Sequence, residues 1–157
     1  MDHSVEVEHL SKSYGEVKAV NDISFRVRQG SLFAFLGVNG AGKSTTINII
    51  CSILKKDAGR VTVCGHDLDR EGDRIKEEIG IVFQTSVLDK QLTVAENLDL
   101  RASFYGLSRA ARKKNVERIV ELLSLQPILK RPVGNLSGGQ QRRVDIARAM
   151  VHDPRLL

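Results

Sequence analysis

At 157 residues, 41% hydrophobic and 27% charged, the chain is sized and composed for one soluble globular domain. The opening Met1-Asp2-His3-Ser4-Val5-Glu6 lacks the basic and apolar blocks of a signal peptide, and no apolar run nears the ~20 residues that span a bilayer. A cytosolic chain, or one facing the cytosol from a membrane assembly, is therefore expected. The net charge of +5 permits an anionic partner, but few aromatics and no Trp leave base stacking poorly supplied, so nucleic acid is not expected.

Val5 to Leu10 alternate apolar and charged residues, as a half-exposed strand does, and Tyr14-Gly15 turns it. On composition, Tyr14 is a turn aromatic covering an edge. Ile23 to Val27 alternates again before a Gln29-Gly30 turn, and Ser31 to Leu36 reads as a strand buried on both faces. That run enters Gly37-Val38-Asn39-Gly40-Ala41-Gly42-Lys43-Ser44-Thr45. Lys43 to Leu54 follow as a helix with Ile47, Ile50, Cys51 and Leu54 on one face. Strand, glycine loop and helix in succession make Gly-x4-Gly-Lys-Ser a phosphate-loop motif. Its glycines let the main chain approach a phosphate closely. Successive amides then form an anion nest, and the helix N-terminus adds roughly half a positive charge. Lys43 can reach the β- and γ-phosphates, and Ser44 can offer its hydroxyl to Mg²⁺. The motif points to nucleotide binding.

Asp57-Ala58-Gly59 breaks the helical pattern, and Val61 to Cys64 reads as a strand closed by Gly65. Asp69 to Glu78 is polar and helix-prone. Ile79 to Phe83 is a second buried-looking strand, and Gln84 opens a loop, where a Gln is ordinarily just solvated. Thr93 and Glu96 form a capping box for a helix that stops near Gly106, and Ser108 caps the next. In that helix Val116, Ile119, Val120 and Leu123 form an apolar stripe. Its other face carries Arg109, Arg112, Lys113, Lys114 and Arg118, which a solvated surface explains as well as an anionic partner does. Pro127 and Pro132 mark the loop after it. Residues from about 92 to 131 are thus helical in pattern between strand-type segments, a helical subdomain on an α/β core. Ser137 and Gln140 fit Ser-x-x-Gln capping, so a helix runs from Gly138 to about Val151. Gly138 and Gly139 each cost about 1 kcal/mol relative to Ala in that first turn. They mark either a softened helix start or a place where a phosphate comes close. Asp153-Pro154 ends the helix, and Arg155-Leu156-Leu157 opens one more strand. Cys51 and Cys64 lack metal-site spacing and read as buried reduced thiols, and His3, His9, His66 and His152 are scattered and take no assigned role.

In this order and spacing, three motifs resemble the nucleotide-binding domain of ATP-binding cassette (ABC) ATPases. Gly37 to Thr45 matches the family's Walker A, Gln84 its Q-loop, and Leu136 to Gln140 its signature Leu-Ser-Gly-Gly-Gln. Tyr14 stands where the family places an aromatic that stacks on adenine. The resemblance covers the whole chain, and the signature is specific to this family whereas Walker A alone is widely shared.

The resemblance implies an α/β P-loop NTPase core of mixed sheet with an N-terminal antiparallel part. Residues 1–91 would hold the β part and phosphate loop, 92–135 the helical subdomain, and 136–157 the signature helix and the start of a Walker B strand. Nucleotide contacts are implied for Tyr14, Gly37, Val38, Asn39, Gly40, Ala41, Gly42, Lys43, Ser44, Thr45 and Gln84, with Ser44 and Gln84 on Mg²⁺. Ser137, Gly138, Gly139 and Gln140 would contact the ATP held by a second nucleotide-binding domain stacked head to tail. The implied cofactors are ATP and Mg²⁺, the partners that second domain and a polytopic membrane permease, and the place the cytoplasm at the inner face of the cell membrane. Arg142 to Ala149 looks most like the exporter branch associated with ABC-2 type permeases. A soluble ABC ATPase of translation or DNA metabolism and a non-catalytic nucleotide-binding module are the competing classes. The family continues past the position of Leu157 into Asp-Glu, the Walker B end, and later a switch His. On that comparison the chain is the N-terminal portion of a longer ATPase, with none of these catalytic residues and negligible hydrolysis by itself. Leu32 to Leu36 and Ile79 to Phe83 would be left partly uncovered.

Overall fold

Strand β1 (His3–Tyr14) turns back on strand β2 (Val17–Arg28) through Gly15-Glu16, where the glycine's φ of 59° supplies the left-handed step of a two-residue hairpin. The computed structural model describes residues 3–157. From this hairpin the chain builds a four-stranded antiparallel sheet of order β2-β1-β3-β4, with β3 at Ala58–Val63 and β4 at His66–Asp67. Alternation turns Val5 and Val7 inward, and strict alternation would next bury His9. An irregularity at that point, with His9 at φ 52°, adds one residue so that Leu10 is buried instead. Val20, Val27, Val61 and Val63 are buried with them. Glu6 and Glu8 remain outside that core, each ion-paired with Arg26 at 3.4 Å.

Helix α1 (Lys43–Ile50) is shorter than its apolar spacing predicts and turns a different side inward. Thr46, Ile49 and Ile50 are buried while Ile47 is 44% exposed. The helix stops at Cys51 because Ser52 takes a left-handed φ of 56°, so Leu54 never joins its face. Cys51 is half-buried, Cys64 is buried, and no disulfide joins them. Helix α2 (Gly72–Glu78) follows β4 and buries Ile75.

The larger departure is at residues 31–36. Their hydrophobicity suits a doubly buried strand, whereas the family resemblance implies that they are left partly uncovered; they lie outside the sheet, with Leu32 100% and Leu36 91% exposed. A strand needs a neighbour to take up its backbone hydrogen bonds. Among the described residues no strand pairs with this run. Its aromatic members find partial shelter on β2, where Phe33 stacks on Phe25 at 5.5 Å and Phe35 meets Phe25 edge-on at 5.1 Å. The second predicted buried strand, Ile79 to Phe83, is also corrected. Only Ile79 pairs, in an isolated parallel bridge with Leu156, and Phe83 is exposed. The parallel part of the expected mixed sheet is confined to that bridge among the described residues.

The chain divides into two compact units, residues 3–79 with Leu156, and Gly80–Arg155 with Leu157. In the second, helices α3 (Val94–Ser103), α4 (Arg109–Leu122) and α5 (Gly138–Met150) enclose a core of Leu98, Ile119, Leu125, Val133 and Val144. The predicted α4 stripe is the one used: Ile119 and Val120 are buried, with Val116 and Leu123 packed beside them. Both predicted caps form, Thr93 Oγ1 accepting from the Glu96 N–H at 3.2 Å and Ser108 Oγ from the Ala111 N–H at 3.2 Å. Among the described residues no helix is long and apolar enough to cross a membrane.

Candidate functional site

The phosphate-loop motif sits where the exposed run 31–36 meets α1. Gly42 is the N-cap of α1, at φ 77° and with no side-chain cap. A Cβ on Gly42 would stand 2.2 Å from the carbonyl oxygen of Ala19 and 3.3 Å from Val20 Cγ2, so only glycine lets the loop lie against β2 and still enter the helix. The first-turn amides of α1 border a cavity of about 320 Å³ lined by residues 39–45 and Ala19. Unsatisfied amides and the positive helix end make this an anion site. The Lys43 ammonium donates to Gly37 O and Val38 O, each at 2.7 Å. An ammonium has three donors, so one remains for a phosphate oxygen. Thr46 secures the turn from behind, its hydroxyl donating to Gly42 O at 3.0 Å. Ser44 is exposed and Thr45 half-buried at the cavity wall.

Ala19 and Thr46 were not singled out by sequence. A small residue in a strand and a Thr one position past the motif carry no pattern of their own. Their roles come from the close approach of the loop to β2.

Tyr14 ends β1 opposite Val17 and is 51% exposed. It does not line the phosphate-loop cavity. Lys12 lies 5.8 Å from its ring centroid and is tied to Asp57 Oδ1 at 2.6 Å, while Asp57 Oδ2 accepts from the Ser13 N–H at 2.7 Å. The bond from Lys12, and then that from Ser13, hold the Asp57 carboxyl below its ordinary range.

In the second unit Gln84 is exposed on the segment between Ile79 and α3. The signature residues open α5. Ser137 Oγ accepts from the Gln140 N–H at 3.3 Å, and Gln140 Oε1 accepts from the Ser137 N–H at 2.9 Å, a reciprocal cap. The Gln140 side-chain oxygen is thereby engaged within the chain, whereas the Ser137 hydroxyl keeps its own proton to donate. Gly138 and Gly139 follow with ordinary helical backbone, and a Cβ built on either meets no atom within 4 Å. Among the described residues no contact requires glycine there, and the exposed N–H groups of that turn fit an anion.

Residues 20–157 match the profile of the family described as ABC transporter. The chain is 38% identical over 151 residues to the Nod factor export ATP-binding protein I of Ralstonia nicotianae, covering 96% of this chain and 47% of that protein. It spans about half the length of the curated relatives it matches. Among solved structures it is similar to cbiO1 from Clostridium perfringens, part of the ABC transporter complex cbiONQ, with a TM-score of 0.89 and 31% identity over 98% of this chain and 63% of that one. It is also similar to a dimeric ATP-binding cassette in a post-hydrolysis state bound to ADP and Pi, with a TM-score of 0.79 and 30% identity over 96% of this chain and 70% of that one.

Proposed function

The chain belongs to the ABC transporter family, and from that premise we propose that it binds ATP at Gly37–Thr45 and closes over the ATP of a second copy with Ser137–Gly139. The observation that carries this is the pair Gly138 and Gly139, whose cost to α5 is unexplained by any contact among the described residues. An approaching γ-phosphate explains it. The dimeric cassette holding ADP and Pi supports the same arrangement.

Each residue then has a task. Gly37 to Thr45 wrap the triphosphate with backbone amides, and Lys43 neutralises its charge with the donor left over from Gly37 and Val38. Tyr14 offers its exposed ring face to adenine. Ser44, through its hydroxyl, and Gln84, through its amide oxygen, would hold Mg²⁺, which when bound draws charge from the phosphates. Ser137 donates its hydroxyl proton, and the Gly138 and Gly139 amides add theirs, to the phosphate bound by the partner. ATP thus serves as the adhesive between two copies, and its hydrolysis by the complete ATPase releases them.

In the whole protein this cycle drives a membrane permease, in the export direction and in the ABC-2 branch. Names of relatives concerned with export support the direction, and the place of cbiO1 in a transporter complex supports the permease. Residues 1–91, 92–135 and 136–157 then divide the labour among phosphate loop, helical subdomain and signature helix.

The test is sedimentation of the purified chain with and without Mg-ATP. A nucleotide-dependent dimer is expected, with ATP binding lost in Lys43→Ala and the dimer lost, but not ATP binding, in Ser137→Arg. ATP binding that survives Lys43→Ala unchanged sinks the proposal.

A further inference from the structure

Gln84 stands between two anchors supplied by one helix. Arg142 Nη1 of α5 donates to Phe83 O at 2.6 Å, on one side of it. On the other, the Ser86 hydroxyl donates to Asp145 Oδ1 at 3.1 Å, and Ser86 Oγ accepts from the Leu88 N–H at 3.4 Å. Arg142 and Asp145 are three apart on α5 and so share a face. Asp145 is only 6% exposed, so its hydrogen bond from Ser86 is shielded from competing water. A third contact lies upstream, where a Cβ built on Gly80 would stand 2.3 Å from Ala149 O of the same helix. Residues 80–86 are therefore laid against α5 at three places. Only Gln84 and Thr85 lie between the two hydrogen-bonded anchors, and both are exposed.

We propose that Arg142 and Asp145 are positioning residues that fix Gln84 to the helix carrying Ser137. Four Cα atoms from Phe83 to Ser86 span no more than about 11 Å. With both ends held, Gln84 cannot drift by more than a few ångströms without α5. The inference deepens the function proposed above and rests on its assignment of Gln84 to Mg²⁺. It assigns tasks to two side chains outside the Leu-Ser-Gly-Gly-Gln motif.

The anchoring is read by ¹⁵N relaxation of the purified chain. Backbone order parameters at Gln84 and Thr85 are expected near ~0.85, falling below ~0.6 in Arg142→Met combined with Ser86→Ala. Arg142→Lys, which keeps a donor, should restore part of the order. The positioning is read by ATP affinity with and without Mg²⁺. The double variant should lose about tenfold of the Mg²⁺ enhancement, as Gln84→Ala does, with Mg²⁺-free ATP affinity unchanged. Adding Gln84→Ala to the double variant should then cost nothing further. Order parameters that stay high in the double variant overturn the inference. So does a Mg²⁺ enhancement lost in Gln84→Ala but kept in the double variant. A silent Gln84→Ala overturns the assignment of Gln84 to Mg²⁺ instead, and the order parameters alone then decide the anchoring. Asp145→Asn, which can still accept from Ser86, should keep both readouts near the parent values, and loss of both there would overturn the role given to its hydrogen bond.

Discussion

The two glycine-rich helix starts answer the same electrostatic need in opposite ways. At α1 the N-cap is a glycine with no side chain to spend, held in a left-handed turn by the backbone of β2. Its first-turn amides are left for a ligand to complete. At α5 the start is already complete, because Ser137 and Gln140 cap each other. Its glycines are surplus to folding. The first site is shaped by the chain itself, and the second is finished within the chain yet kept bare toward the outside. Under the function proposed above, the helix end that a ligand must finish holds the nucleotide, and the one that needs no ligand joins and leaves.

Substitutions should separate the two. Gly42→Ala combines a strained left-handed φ with a collision at Ala19 O and should cost about 3 kcal/mol, seen as a large fall in the denaturant midpoint. Gly138→Ala or Gly139→Ala should do the reverse, adding up to about 1 kcal/mol and raising Tm by ~2–4 °C, while the Mg-ATP dimer is lost. A variant that gained stability and still dimerised would remove the distinction drawn here. Ser137→Ala and Thr93→Ala each remove a cap and should cost about 1 kcal/mol alike, but only the former should weaken the nucleotide-dependent dimer.

The smallest effect is on the acid limb of stability. Hydrogen bonds from the Thr93 side chain and then its backbone hold the Glu96 carboxyl below its ordinary 4.5, and Lys12 and Ser13 hold Asp57 below 3.8. A carboxyl whose pKa is depressed by folding contributes stability above its unfolded value, and that contribution is lost as pH falls through the folded value. Stability should therefore begin to fall as pH drops past about 4.5 and continue below 3.8. Asp57→Asn should flatten the lower part of that curve, as followed by thermal melts from pH 6 to 2.

Local chemistry was readable in the sequence. The caps at Thr93, Ser108 and Ser137 formed as expected because a cap is made by residues three apart, whatever surrounds them. The phosphate loop and the α4 stripe were equally plain. The errors fell on residues whose fate depends on distant partners. Ile47 looked inward by spacing and is exposed, because the shortened α1 packs through Thr46 and Ile49. Leu32 to Leu36 looked buried by hydrophobicity and is bare, because apolar character states a preference for burial and supplies no neighbour.

By itself the sequence determined where the chain turns, which helices are capped, and which loop carries the amides, lysine and hydroxyl suited to a triphosphate. Only the tertiary structure decided that Gly42 must be glycine because of Ala19, that Gly138 and Gly139 need not be, and that Arg142 and Asp145 flank Gln84. The division follows from range. Capping and turn formation act over three or four residues, whereas steric exclusion and side-chain anchoring join distant positions, such as Phe83 and Arg142, 59 residues apart, that meet only after folding.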